Sequence, residues 1–368
     1  SLYALMRNSL AMLSRSITEN KSDHGEHYIS RGKSSFYALF RSAAGAGFII
    51  ALMALLKISI VNMGFSPLKE TVLTSLNYGL GFVLIHLLHF TIATKQPAMT
   101  AASFASEVEQ GENGRAAHRK LASLLIDVNR SQWAAVWGNL STAILLAAVI
   151  AFSFFMFTDS PLLDASTVSY QLHAIAPFEG LALFYAAIAG LWLFCSGIIA
   201  GYFDNRADYL ELEMRLQQHR LLQWLKEQRR DKFAKYMHDN YGSLAGNFFF
   251  GVLLGTTGYI GYLLDLPLDI RHVAFSSANL GYSALSTQMG LVEFLIHLFY
   301  VLLIGFVNLW VSFSLALMVA LRSRGTQISR FPVLLSSLWE QIKEKPLRLF
   351  FPVTSVQQAL KEDKKNKS

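Results

Sequence analysis

Apolar residues run in six long blocks along the chain, at about 43–61, 72–93, 133–157, 181–203, 243–264 and 292–321. Each is close to the ~20 residues that a helix rising ~1.5 Å per residue needs to cross a ~30 Å hydrocarbon layer. The second to fifth blocks contain no Asp, Glu, Lys or Arg. The first holds only Lys57 and the last only Glu293, each near enough to an end to snorkel or pair. The pattern predicts an all-α polytopic membrane protein, with six transmembrane helices as three hairpins plus interfacial helices in the polar connections. Connections 94–132 and 204–242 read as helical. Thr100 is placed to cap a helix after the stop at Pro97, Arg115–Arg130 has no breaker, and Tyr209–Met237 sets Leu216, Leu221, Leu222, Leu225 and Phe233 among charges. Segment 1–42 then precedes a membrane domain at 43–321, and a basic tail follows at 322–368. The abrupt start at Ser1, with neither Met nor leader, predicts a longer soluble region upstream.

Charge gives the blocks a direction. Of 32 Lys and Arg residues, 29 fall in the N-terminal segment, the two long connections and the tail. Only Lys57, Lys69 and Arg271 fall on the opposite side, so the positive-inside rule puts both termini in the cytoplasm. The whole chain is 53% hydrophobic and 15% charged, against about 25% charged for soluble domains. The basic inner face suits membrane lipids with anionic headgroups as partners. Nucleic acid is not expected as a partner in this region, because the longest basic stretch, Arg206–Lys235, is interleaved with Asp208, Glu211, Glu213, Glu227 and Asp231. A homo-oligomer is compatible with the sequence. One cysteine, Cys195, excludes an intrachain disulfide framework and a Cys-based metal site.

Within this frame a few polar and small residues stand out. Gly242/Gly246 and Gly251/Gly255 repeat the small-xxx-small spacing that lets another helix approach closely. His86 and His89 share a helix face, and at comparable depth Asn139 and Asn247 enter their own spans, which predicts an intramembrane polar cluster in the cytoplasmic third. Trp137-Gly138-Asn139-Leu140 and Ala245-Gly246-Asn247-Phe248 echo each other, a hint of internal repetition as in transporters. Glu293 and His297, one turn apart, form an outer pair about 13 Å in depth from His86, too far to share a ligand. At the inner face Thr94, Lys95, Thr100 and Arg41 are candidates for lipid or anion contact. Asp23-His24-Gly25-Glu26-His27 lacks zincin spacing and reads as a hydrogen-bonded loop, so no metal or cofactor is expected. No Walker A string, dinucleotide fingerprint or nucleophile elbow occurs, and no catalytic residue is singled out.

Four ordered strings resemble the bacterial transmembrane site-specific recombinase family: His24-Gly25-Glu26-His27-Tyr28-Ile29, Ala93-Thr94-Lys95-Gln96-Pro97-Ala98-Met99-Thr100-Ala101, Gly201-Tyr202-Phe203-Asp204-Asn205 and Leu266-Pro267-Leu268-Asp269-Ile270-Arg271-His272-Val273. The resemblance implies a bacterial inner-membrane protein with a soluble N-terminal region, and it implies the recombinase activity of the family label. It carries over no catalytic residues. The residues themselves point to a transport or lipid-handling protein, with a membrane scaffold that recruits cytoplasmic or DNA-processing partners as the alternative.

Overall fold

A computed structural model describes residues 32–92, 101, 104–105, 108, 115–323 and 331–352. Among them the chain is helical, with no strand. The first apolar block becomes α1, Lys33–Asn62, opened by a reciprocal bond pair between Gly32 and Ser35. Gly64, at φ 64°, turns the chain, and Pro67 starts α2, Pro67–Leu87, at a position where its missing N–H has no helical partner to lose. There follow α3, Arg115–Thr158; α4, Ala165–Ile175; α5, Ala182–Tyr209; α6, Leu212–Gln218; α7, Glu227–Leu264; α8, Val273–Ser286; α9, Leu291–Ser323; and α10, Phe331–Glu344.

Five of these, α1, α3, α5, α7 and α9, are long and apolar enough to cross a membrane. Their outward faces carry Leu52, Leu56, Leu145, Phe152, Leu191, Phe299, Phe306 and Trp310 exposed. A belt of that kind needs a lipid solvent rather than water. The chain is a multi-pass membrane protein. The second apolar block, α2, has 21 residues, and its most apolar span-length stretch falls short of those of the other five. Its first half carries Lys69, Glu70, Thr71, Thr74, Ser75 and Asn77, several of which face a polar cavity described below.

The broadest packing is not between the members of three successive hairpins. α1 lies along α3 in parallel, where Gly47 meets Asn139 and Thr142 while Gly138 meets Phe40 and Ala44. α7 is the spine of the other half. Its Gly242 and Gly246 abut Ala200 and Ser196 of α5, and its Gly251 and Gly255 abut Gly79 and Ser75 of α2. The two glycine pairs therefore serve two different neighbours, and each brings backbones together closely enough for dispersion to hold them. Trp192 donates from α5 to the Thr257 hydroxyl of α7 at 2.8 Å, pinning the register.

The segment between α7 and α9 holds the largest departure from the sequence reading. It is not a plain connection. After α7 the chain turns at Asp265, in the left-handed region at φ 52°, and residues 266–272 run back into the bundle as a single non-helical strand of chain, paired in no sheet and with a tight turn at Pro267; this is the re-entrant strand. α8 then begins in the interior. With 14 residues it is about 21 Å long, too short to span. Eleven of those residues are buried, many of them Ala, Ser or Gly, so neighbours pack on all its sides. α1, α3, α4 and α9 are those neighbours, and Tyr282 donates its hydroxyl to the Ala51 carbonyl of α1 at 2.9 Å.

At the end of the bundle that carries the basic connections, Tyr209–Met237 is not one helix. Glu211, at φ 49°, breaks it, leaving α6, a 3-10 turn at Arg220–Leu222 and then the long α7. In contrast, Arg115–Arg130 does continue unbroken into the third span as α3. Part of the tail also folds. α10 docks along this extension of α3, where Gln341 donates to the Arg119 carbonyl at 2.9 Å, and beyond it Arg348 donates to Ser123 at 2.7 Å.

Candidate functional site

At the opposite end, where α1 turns into α2, a cavity of about 510 Å³ opens among α1, α2, α4, α7 and the re-entrant strand. That is within the ~300–1,000 Å³ of small-molecule sites. The side with only three basic residues contributes two of them, Lys57 and Arg271, to this cavity. Glu70 and Asp269 supply the opposite charge, and the rest of the wall mixes hydroxyl, amide and tyrosine side chains with about as many apolar ones.

Each of these groups is placed by its backbone. The Arg271 guanidinium donates to Asp269 at 2.6 Å, to the Ala174 carbonyl at the end of α4 at 2.7 Å, and to the Ile270 carbonyl at 2.7 Å. It also lies 5.2 Å from the centre of the Tyr185 ring. It is a fixed charge with its ionic partner beside it. Lys57 differs: it lies within electrostatic range of Asp269, Arg271 and Glu70, and its ammonium forms no ion pair with any of them. Thr74 lines the same wall, and its buried hydroxyl has no partner among the described residues. Partial desolvation at the cavity wall, and after it the Asp269 carboxylate, raise the Tyr170 hydroxyl of α4 above the ordinary tyrosine value while Arg271 opposes them. It therefore stays a neutral hydrogen-bonding group at physiological pH.

The floor of the cavity includes His272, 1% exposed, with neither ring nitrogen hydrogen-bonded among the described residues. Its ring is enclosed by Phe82, Phe250 and Phe275 at centroid distances of 6.5, 5.7 and 5.7 Å. Beneath it Asn308 of α9 clasps the start of α8. Its amide oxygen accepts from Val273 N at 3.0 Å, and its nitrogen donates to the Ala186 and Arg271 carbonyls at 2.8 and 2.9 Å. One buried amide thus fixes the re-entrant strand, α8, α5 and α9 together, and so sets where Arg271 stands.

The residues singled out from sequence are distributed elsewhere. His86 is hydrogen-bonded to Asn240 of α7 at 3.0 Å. Asn139 donates to the carbonyls of Ala135 and Thr91, at 2.8 and 3.3 Å, and its buried amide oxygen has no partner among the described residues. Asn247 is buried on α7, its amide nitrogen likewise unpartnered. His89 is exposed and terminates α2 in the left-handed region, at φ 57°, with Phe90 N returning to the Ile85 carbonyl at 3.0 Å. Glycine adopts that conformation freely and other residues strain to reach it. His89→Gly is therefore expected to raise stability by up to about 1 kcal/mol, read as the thermal midpoint of purified protein, and a lowered midpoint would show that the imidazole holds something. His297 bonds the main-chain carbonyl of Glu293 at 2.9 Å, and Arg41 is exposed on α1. Gly255 is the one paired glycine that also lines the cavity. Thr94, Lys95, Thr100 and the string Asp23-His24-Gly25-Glu26-His27 lie outside the described residues. Among the described residues no group of three His, Cys, Asp or Glu side chains is arranged to hold a metal ion.

Sequence reasoning passed over Lys57, Glu70, Asp269, His272 and Asn308 as site residues. The available signal was Lys57, the only charge in the first apolar block.

A family model described as site-specific recombinase matches residues 1–352. No protein of curated function matches the chain, and no solved structure does.

Proposed function

We propose that this chain, which belongs to the site-specific recombinase family, binds a small polar solute or lipid headgroup in the cavity at Lys57 and Arg271 and moves it through the membrane. The observation that carries this reading is a polar, charged cavity at one end of an apolar bundle, floored by a re-entrant strand and a half-length helix. Non-helical backbone at membrane depth is tolerated where it is buried in protein or lines a polar space, and transporters build substrate sites from such interrupted elements.

In this reading the protein sits in the bacterial inner membrane. The charge split puts the termini and the basic connections in the cytoplasm and the cavity mouth on the outer side. Both termini share a side only if the number of crossings is even, so α2 crosses as the sixth span. Asn77 of α2 donating to the Met53 carbonyl of α1 at 2.8 Å supports that pairing. Anionic headgroups cover the inner face, where Arg41 is exposed.

The test is reconstitution into proteoliposomes with a panel of amino acids, sugars and labelled phospholipids. Wild-type protein is expected to move at least one class. Thr71→Trp, which fills part of the cavity from a half-buried position, should slow that movement at least tenfold with the folded yield unchanged. Absence of flux and of lipid movement across the panel would refute the reading.

A second reading, a membrane scaffold, draws on the basic end. There Tyr209, Leu221 and Trp224 are 87%, 74% and 80% exposed around α6, next to charged α7 residues. It predicts that deleting α6 through the 3-10 turn removes the phenotype and leaves any transport intact. Strand exchange, which the family label implies, predicts DNA cleavage by the purified chain, lost on replacing one nucleophile.

A further inference from the structure

Two charged side chains in the cavity wall have no ionic partner. Among the described residues Lys57 and Glu70 form no ion pair within 4.0 Å and no side-chain hydrogen bond, whereas Arg271 and Asp269 neutralise each other at 2.6 Å. The cavity therefore offers one unsatisfied charge of each sign and a net charge of zero. Both side chains are half-buried in the wall, so water reaches them only in part, and a ligand group of opposite sign supplies the pairing that the wall does not. A simple anion would satisfy Lys57 and be repelled by Glu70 and Asp269. A simple cation would meet the reverse difficulty at Lys57 and Arg271. The wall also presents Tyr78, Tyr170, Tyr185 and Tyr259, whose hydroxyls can donate to an anion or accept from an ammonium group.

We propose that the cavity takes a zwitterion, its carboxylate or phosphate paired with Lys57 and its ammonium with Glu70. This rests on reading the cavity as a solute or headgroup site, and it narrows that reading to one charge pattern. A free amino-acid-like solute and a phosphoethanolamine lipid headgroup share this pattern. The buried, unpartnered hydroxyl of Thr74 supplies a further hydrogen bond inside the same wall.

The experiment is calorimetric titration of the full chain with three soluble probes: glycerophosphoethanolamine, glycerol 3-phosphate and ethanolamine. The zwitterion is expected to bind at least tenfold more tightly than either probe that carries charge of one sign only. Lys57→Gln and Glu70→Gln should each weaken it about tenfold, the difference a charge-assisted hydrogen bond makes. They should also shift selectivity in opposite directions, Lys57→Gln toward ethanolamine and Glu70→Gln toward glycerol 3-phosphate. A purely structural role for either residue would move all three probes together. Repeating the titration in nanodiscs separates the sources. Competition by phosphatidylethanolamine but not phosphatidylglycerol identifies a lipid headgroup, equal binding in both identifies a free solute, and each upholds the charge pattern. Equal affinity for all probes, unchanged selectivity in both variants, or no binding in any arm would overturn the inference. Zwitterion binding without flux would sink the transport reading alone. Flux of a singly charged solute that Glu70→Gln leaves unchanged would sink this inference alone.

Discussion

Replacing Asn308 with alanine is expected to cost about 3–5 kcal/mol and to leave little folded protein in detergent extracts. The residue is 1% exposed and makes three hydrogen bonds, at 2.8, 2.9 and 3.0 Å, to backbone groups of α5, the re-entrant strand and α8. Each bond contributes roughly 0.5–1.5 kcal/mol net, but the larger loss is the stranding of buried carbonyls and an N–H that water cannot reach. Asn308→Asp is the sharper variant. It keeps the shape and the acceptor for Val273 N, and it replaces the donor to Ala186 and Arg271 with a carboxylate facing two carbonyl oxygens. The measurement is the thermal midpoint and monodisperse fraction on fluorescence-detected gel filtration. Midpoints within 2–3 °C of wild type for both variants would mean that the clasp does not hold the bundle together, since ~1 kcal/mol already moves a domain of 150–250 residues by about that much.

Gly251→Leu is expected to do comparable damage by the opposite means. A side chain at Gly251 runs into the backbone of Tyr78 and Gly79 on α2, and backbone atoms cannot step aside as a flexible side chain can. The helices must separate, breaking a contact that also includes Gly255 against Ser75, at a cost of about 3 kcal/mol or more. Gly258 is the control on the same helix. Nothing lies within 4 Å of a Cβ built there, so Gly258→Ala should be neutral or stabilise by up to about 1 kcal/mol through helix propensity. If both variants behaved alike, close packing of α7 on α2 would be the wrong account of these glycines.

The sequence reveals the spans well because lipid imposes a length and a polarity on them. α1, α3, α5, α7 and α9 each contain one of the apolar blocks, and the unbroken Arg115–Arg130 extension was visible as a run without Gly or Pro. α8 was not legible. A helix buried on all sides has no amphipathic stripe, and at 14 residues it falls below the length that marks a span, so Val273–Ser286 read as part of a connection. The same limit hid the site. Asp269, Arg271 and His272 look like loop residues until the strand folds back, and Asn308 looks like one polar residue in an apolar helix. Lys57 and the polar first half of α2 were the visible clues, since a charge kept inside a span needs a polar neighbourhood. Pairing between helices was illegible for another reason. Small-xxx-small spacing says that α7 meets something closely, and only the fold shows that Gly242/Gly246 meet α5 while Gly251/Gly255 meet α2.

The proposed function requires a polar cavity that opens on the outer face of the inner membrane. Cys195 is the only cysteine, so Cys195→Ser gives a clean background for introducing Thr71→Cys in the cavity wall and Tyr262→Cys at its mouth. Labelling of intact spheroplasts with a membrane-impermeant thiol reagent measures the opening directly. The expected result is modification of both cysteines from outside without permeabilisation, and slowing at position 71 by a bound zwitterion. Modification of either cysteine only after the membrane is opened, or of neither, would contradict the cavity, its orientation and the function built on them.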